Sequence, residues 1–174
     1  MEISDKEIIE RVKKGEKEMF SHLIERYSDR IYTYFLRLIQ DKDEAMSLTQ
    51  ETFYKVFKGI KNFDTDRDFF PYLIKIARNE GVNYLNKYKR IDNIDYDDSL
   101  NYEKKESFDD KLIIEDALKK LPKDDREIIL LFYSENLSYE EISKVLNISV
   151  ENVKVKLHRA KEKLRRIIEV KDGI

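Results

Sequence analysis

Residues 137–168, LSYEEISKVLNISVENVKVKLHRAKEKLRRII, decide how this chain is read. Ser138 followed by Glu141 is a capping box, so a helix starts there, and Ile142, Val145 and Leu146 give it one buried stripe. Asn147, Ile148 and Ser149 then make a short turn, because Asn tolerates positive φ and Ser149 can cap the next helix. That second helix buries Val150, Val153, Leu157, Ala160 and Leu164, at intervals of 3, 4, 3 and 4. The pattern is helix-turn-helix spacing. On a wheel of about 100° per residue, Lys154, Val155, His158 and Glu162 fall opposite the buried stripe, with Arg159 beside them. Seven basic residues and one acid lie between 154 and 166. Lys154, Lys156 and Arg159 suit phosphates or base edges, and an outward Val155 suits a thymine methyl. His158 has no second histidine nearby, so no metal site is expected.

Outward from this motif, apolar periodicity at Leu112, Ile113, Leu118 and Leu121 precedes Pro122, which opens a helix containing IILLF (128–132). Residues 111–174 are therefore expected to form one small helical domain. Upstream, residues 91–110 (IDNIDYDDSLNYEKKESFDD) carry two basic and eight acidic side chains with weak periodicity, which predicts a flexible acidic linker. Residues 1–90 predict a second domain, of four helices. The first opens on a Ser4/Glu7 capping box with an Ile3/Ile8 staple and ends at Gly15. Phe20, Leu23, Ile24, Tyr27, Ile31, Tyr34, Phe35 and Leu38 mark the apolar face of the second. The third spans about 43–60, buried through Leu48, Phe53, Val56, Phe57 and Ile60; after a loop over 61–68, the fourth runs over about 69–88 with Pro71 in its first turn. The expected fold is all-α, in two small helical domains without an internal repeat.

Composition agrees. Across 174 residues, four glycines and two prolines are too few for a turn-rich fold. The absence of cysteine excludes disulfides and thiolate metal sites. No apolar run approaches the roughly 18 residues of a bilayer span, and the N-terminal stretch has no signal-peptide apolar region. A cytoplasmic protein without membrane insertion is expected. The net charge of −2 divides into +2 for 1–90, −6 for 91–110 and +2 for 111–174, so local basic strips are compatible with overall neutrality. Two distant histidines and no phosphate-cradling glycine loop leave no catalytic constellation, so neither an enzyme nor a cofactor is expected.

Two further faces are patterned. Asp43, Ser47, Gln50 and Tyr54 recur at i, i+4, i+7 and i+11 on a narrow polar stripe flanked by Glu51, a pattern that suits another helical surface. In the fourth helix, Tyr72, Lys75, Asn79, Asn83, Asn86 and Arg90 lie opposite Leu73, Ala77, Tyr84 and Tyr88. Asn is a poor helix former, so three on one face point to hydrogen bonding, while Lys75 and Arg78 would attract phosphates.

The segment 121–166, LPKDDREIILLFYSENLSYEEISKVLNISVENVKVKLHRAKEKLRR, resembles the C-terminal domain of sigma factors, whose helix-turn-helix reads the promoter −35 element. DEAMSLTQETFYKVF (43–57) resembles the family helix that docks on RNA polymerase, and FFPYLIKIARNEGVNYL (69–85) its −10-reading and melting helix. With these two domains alone, the chain resembles the small extracytoplasmic-function (ECF) group of the bacterial sigma-70 family. The resemblance implies core RNA polymerase as a partner, through its clamp helices and flap, with promoter DNA as the second. It also makes an anti-sigma factor a possible partner. The loop NFDTDRDFF (62–70) resembles the family loop that captures a base flipped from the −10 element; Phe63, Asp66, Phe69 and Phe70 are candidates, and the sequence does not choose between Phe69 and Phe70. The chain departs from the family pattern at Ser47 for a usual Asp, Tyr72 for a common Trp, Asn83 and Asn86 for frequent Asp and Arg, and Glu151 and Val155 for small residues. A stand-alone helix-turn-helix regulator is the competing reading, and would need only the C-terminal half.

Overall fold

The computed structural model describes residues 3–91 and 110–171, all helices, turns and loops, with no strand among them. The chain divides into two compact units, Met1–Tyr88 and Lys89–Ile174. Most of the expected acidic linker lies outside the described residues, as do the side chains of Tyr88, Arg90 and Leu112.

The first unit is built from α1 (Asp5–Lys13), α2 (Phe20–Ile39), α3 (Lys42–Gly59) and α4 (Phe69–Ile91). Ser4 caps α1 by accepting the Glu7 N–H at 3.2 Å. The helix ends in a Schellman turn: Gly15 sits at φ +112°, its N–H bonds the Val12 carbonyl, and the Glu16 N–H reaches back to Arg11. A side chain at Gly15 would be strained in that conformation. Between α2 and α3, Gln40 takes the left-handed conformation at φ 64°, and Asp41 caps α3 by accepting the N–H groups of Asp43 and Glu44.

The core of this unit joins Ile8, Ile9 and Val12 to Leu23, Ile31, Tyr34 and Phe35 of α2, with Ala45, Phe53 and Val56 of α3 and Leu73, Ile74 and Ala77 of α4. Phe20 meets Phe57 edge-on at 5.1 Å. Two threonines on the inner side of α3 are tolerable there because Thr49 and Thr52 each donate to the carbonyl four residues back, at 2.7 Å. α4 comes close to α2 at Gly81, where a Cβ would stand 3.1 Å from Leu38 Cδ2. Ile24 departs most from the expected core of this unit: it is 39% exposed on the edge of the α2 apolar face, and Tyr27 and Phe57 are half-buried.

The second unit comprises α5 (Asp110–Lys120), α6 (Lys123–Ile129), α7 (Tyr139–Leu146) and α8 (Val150–Lys171). The apolar run that continues α6 changes pitch: Leu130–Ser134 is π-helical, closed by the Glu135 N–H bonding the Leu130 carbonyl at 2.9 Å. Asn136 then turns left-handed at φ 53°. Ile128, Leu130 and Leu131 pack with Ile142, Val145, Val153, Leu157 and Ala160 in one buried cluster. Arg126 is buried too, because its guanidinium supplies the end of α5 with hydrogen bonds: Nε to the Leu118 carbonyl at 2.8 Å, and Nη2 to those of Lys119 at 2.6 Å and Leu121 at 3.0 Å.

Candidate nucleic-acid interface

The helix-turn-helix forms as its caps dictate. Ser138 and Glu141 make the full reciprocal capping box at the start of α7, with bonds of 3.2 and 2.7 Å. Asn147 ends α7 at φ 56°, and Ser149 accepts the Asn152 N–H at 3.2 Å to open α8. Each of Lys154, Val155, Lys156, His158 and Arg159 is exposed, and Val155 keeps 47% of its surface.

The basic residues of α8 fall into two sets. Lys163 is committed to Asp125 and Arg165 to Glu169, while Lys161 lies over the Tyr133 ring at 5.6 Å. Lys154, Lys156 and Arg159, nearer the helix N-terminus, form no ion pair with an acid among the described residues; Lys154 only leans over Tyr139 at 5.9 Å. Arg166, also exposed, makes no such contact among the described residues; most of the positive charge available to an outside anion, on Lys154, Lys156 and Arg159, therefore sits at the end of α8 next to the turn, where a recognition helix meets base edges. The sequence reading missed Asn152, exposed in the first turn of α8 and able to pair bidentately with adenine. Its signal was position: Glu151 and Asn152, in the first turn after the Ser149 cap, lie on the side of α8 that carries Val155.

In the first unit, the loop before α4 and the exposed side of α4 meet. Lys75, Asn79, Asn83 and Asn86 are exposed in succession, and Arg78 is half-buried beside them. Lys55 of α3 donates to Glu80 of α4 at 2.7 Å, tying the two helices together. The aromatic candidates separate by burial. Phe63 and Phe69 are 7% and 3% exposed, meet edge-on at 5.8 Å and serve the core. Tyr72 is half-buried against Phe63 at 4.7 Å, and burial pushes its hydroxyl above the usual phenol range. Phe70 is half-exposed, stacked on Tyr27 at 5.6 Å and covered by the Arg30 guanidinium at 3.5 Å from the ring centre. Asp66 is exposed and paired with Lys6 at 2.7 Å, which holds its carboxyl below the usual range.

On α3, Asp43, Ser47, Gln50, Glu51 and Tyr54 are all exposed, with Tyr54 at 55%. Met46, 50% exposed, stands among them, three residues from Asp43 and four from Gln50. An apolar residue on a polar stripe gives that surface an adaptable anchor. The sequence reading passed over it because the pattern was sought among polar residues.

Comparison with known proteins matches both units. Family profiles described as Sigma-70 region 2 and Sigma-70, region 4 cover residues 23–91 and 111–164. The ECF RNA polymerase sigma factor SigW of Bacillus subtilis is 31% identical over 95% of this chain and 97% of its own length. The RNA polymerase sigma-H factor of Pseudomonas aeruginosa is 27% identical over 95% and 94%. Among solved structures, CnrH in complex with the cytosolic domain of CnrY superposes with a TM-score of 0.73 at 21% identity, covering 95% of this chain and 97% of that one. RpoE from Bartonella quintana, in complex with the anti-sigma factor NepR, gives 0.74 at 22% identity, over 87% and 97%; these two establish likeness of fold. With both regions matched in order and a relative of this identity along nearly the whole chain, the protein belongs to the sigma-70 family of RNA polymerase sigma factors, in its ECF group.

Proposed function

We propose that, in directing promoter-specific transcription initiation through RNA polymerase, this chain divides the task among three surfaces. Lys154, Val155, Lys156, His158 and Arg159, with Asn152, read the −35 element from α8. Asp66, Phe70, Tyr72, Lys75, Arg78, Asn79 and Asn83 read and help melt the −10 element, with Phe63 backing the pocket from the core. Asp43, Ser47, Gln50, Glu51 and Tyr54, with Met46, dock on the polymerase clamp helices, and the second unit meets the flap. Residues 1–90 and 111–174 are then the two functional domains, and the acidic 91–110 their linker. The protein acts in the bacterial cytoplasm and catalyses nothing itself. No helix among the described residues is long and apolar enough to cross a membrane. An anti-sigma factor belongs among its partners in this reading, as NepR is for RpoE.

The observation that carries the reading is the split of charge along α8. Lys154, Lys156 and Arg159 beside the helix-turn-helix turn stay available, while farther along Lys161, Lys163 and Arg165 are engaged within the protein and Arg166 is left exposed. Such a face supplies phosphate attraction and base contacts together. With a formal charge near neutral, the isolated chain should bind DNA weakly and need polymerase to complete the grip. Reconstitution with core RNA polymerase tests this: the chain should confer defined start sites on a promoter library and bind the same DNA weakly alone. Tight, specific DNA binding without polymerase, and no transcript with it, would instead mark a stand-alone regulator.

A further inference from the structure

α1 precedes the part of the chain that matches region 2, which begins at residue 23. Its side chains nevertheless bond the loop between α3 and α4 at two points and reach the start of α4 through Tyr27. At the near end, Lys13 Nζ donates to the Phe63 carbonyl at 2.5 Å. In the middle, Lys6 Nζ donates to Asp66 Oδ1 at 2.7 Å, across 60 residues of sequence. At the far end the contact is indirect. The Asp5 carboxylate accepts the Tyr27 hydroxyl at 2.5 Å and pairs with Arg26, while the Tyr27 ring stacks on Phe70. Lys6 and Lys13 are seven residues apart, two turns along one face of α1. The loop adds its own turn, with the Asp64 carboxylate accepting the Asp66 N–H at 3.1 Å and the Asp64 carbonyl the Arg67 N–H.

An exposed ion pair contributes little to stability, because water competes for both partners. Lys6 and Asp66 are 53% and 83% exposed, so folding gives little reason for their pairing. What the pair does achieve is to restrict where a carboxylate in a short loop can point. Fixing a recognition group before its ligand arrives lowers the ordering cost of binding. We propose that α1 is a positioning element of the base-capturing loop, with Lys6 holding the Asp66 carboxylate, Lys13 the backbone at Phe63, and Asp5, through Tyr27, the platform under Phe70. The proposal rests on the −10 reading given above. It makes α1 a determinant of how well the loop distinguishes an extruded base from an empty site.

The test uses holoenzyme and single-stranded non-template oligonucleotides from a promoter mapped by the reconstitution described above. Each carries either the native base or an abasic site at one −10 position, and the ratio of affinities is read. Phosphates are the same in both oligonucleotides, so the ratio cancels general charge effects. Wild-type protein should prefer the native base at one position by about tenfold, within the range of a stacked base. Lys6→Glu, which repels Asp66, should lower that ratio by about three- to fivefold, with melting temperature and affinity for core polymerase unchanged. Lys6→Arg should restore the ratio, and Lys14→Glu, the same charge change on an exposed residue of α1's end, should leave it alone. A wild-type ratio kept in Lys6→Glu, or an equal fall in Lys14→Glu, would overturn the proposal. So would a fall in Lys6→Glu that tracks loss of core binding, since that marks misfolding. A wild-type ratio near one at every position would refute the base-capture reading itself, and α1's role with it.

Discussion

Replacing Arg126 by Met keeps most of the apolar stem and removes the donors that close α5. Three of the guanidinium's bonds run to the carbonyls of Leu118, Lys119 and Leu121, all at 3.0 Å or less. A hydrogen bond to a charged group contributes about 1.5–3 kcal/mol, and a buried carbonyl left without a donor costs a comparable amount. The three share one side chain and do not add in full, so we expect a loss of about 3 kcal/mol. At about 0.05–0.15 kcal/mol per residue, a helical unit of the size described over 110–171 has roughly 3–9 kcal/mol to lose. The substitution should therefore remove a third or more of its stability. Hydrogen exchange followed by mass spectrometry reads this directly, with the slowest amides of α5–α8 exchanging on the order of 100-fold faster. Arg126→Lys, a single point donor, should fall between the two. A change below about threefold in the Met variant would refute the idea that these bonds hold the α5 terminus.

Three further outcomes follow from the surfaces. Lys154→Ala and Arg159→Ala should each weaken initiation at promoters that depend on a −35 element and lower the salt dependence of holoenzyme–promoter binding by about one unit of slope, measured by titration over a range of salt. Tyr54→Ala should weaken holoenzyme assembly by about tenfold in a core-binding titration, and Met46→Ser by less, because a large exposed aromatic carries more of an interface than a thioether. Ser138→Ala removes one half of the α7 capping box and should cost about 1 kcal/mol in chemical denaturation, with −35-dependent transcription falling as the second unit loosens. Normal initiation at a −35-dependent promoter by either α8 variant would show that the assigned face is wrong.

The second unit was legible almost residue by residue, because its signals are local. A capping box, an Asn able to take positive φ and a capping Ser lie within twelve residues of sequence, and the structure forms each bond they imply. The π-helical turn at Leu130–Ser134 was not legible, since IILLF reads as apolar in any helix and carries no local signal for a change of pitch. Ile24 was misplaced for a related reason. Periodicity gives the direction of a helix face but not its width, and the width depends on which neighbours arrive. The choice among Phe63, Phe69 and Phe70 needed three dimensions, because burial of the first two comes from long-range packing. The grip of α1 on the loop was beyond sequence altogether: Lys6 and Asp66 are ordinary surface charges until the fold brings them together. The cation–π cover of Arg30 over Phe70 is the same kind of fact.

If two separate units read two separate promoter elements, the two preferences must be separable by changing one unit alone. Core RNA polymerase carrying wild-type chain, or a chain with Asn152 and Val155 replaced, would transcribe a promoter library randomised in both elements, with start sites mapped by sequencing. Wild-type protein should select two conserved elements separated by a fixed spacer. The α8 variant should change or relax the preference at the upstream element alone and leave the downstream one intact. Selection of a single element by the wild type, or a downstream preference altered by the α8 changes, would contradict the division of labour on which the whole reading stands.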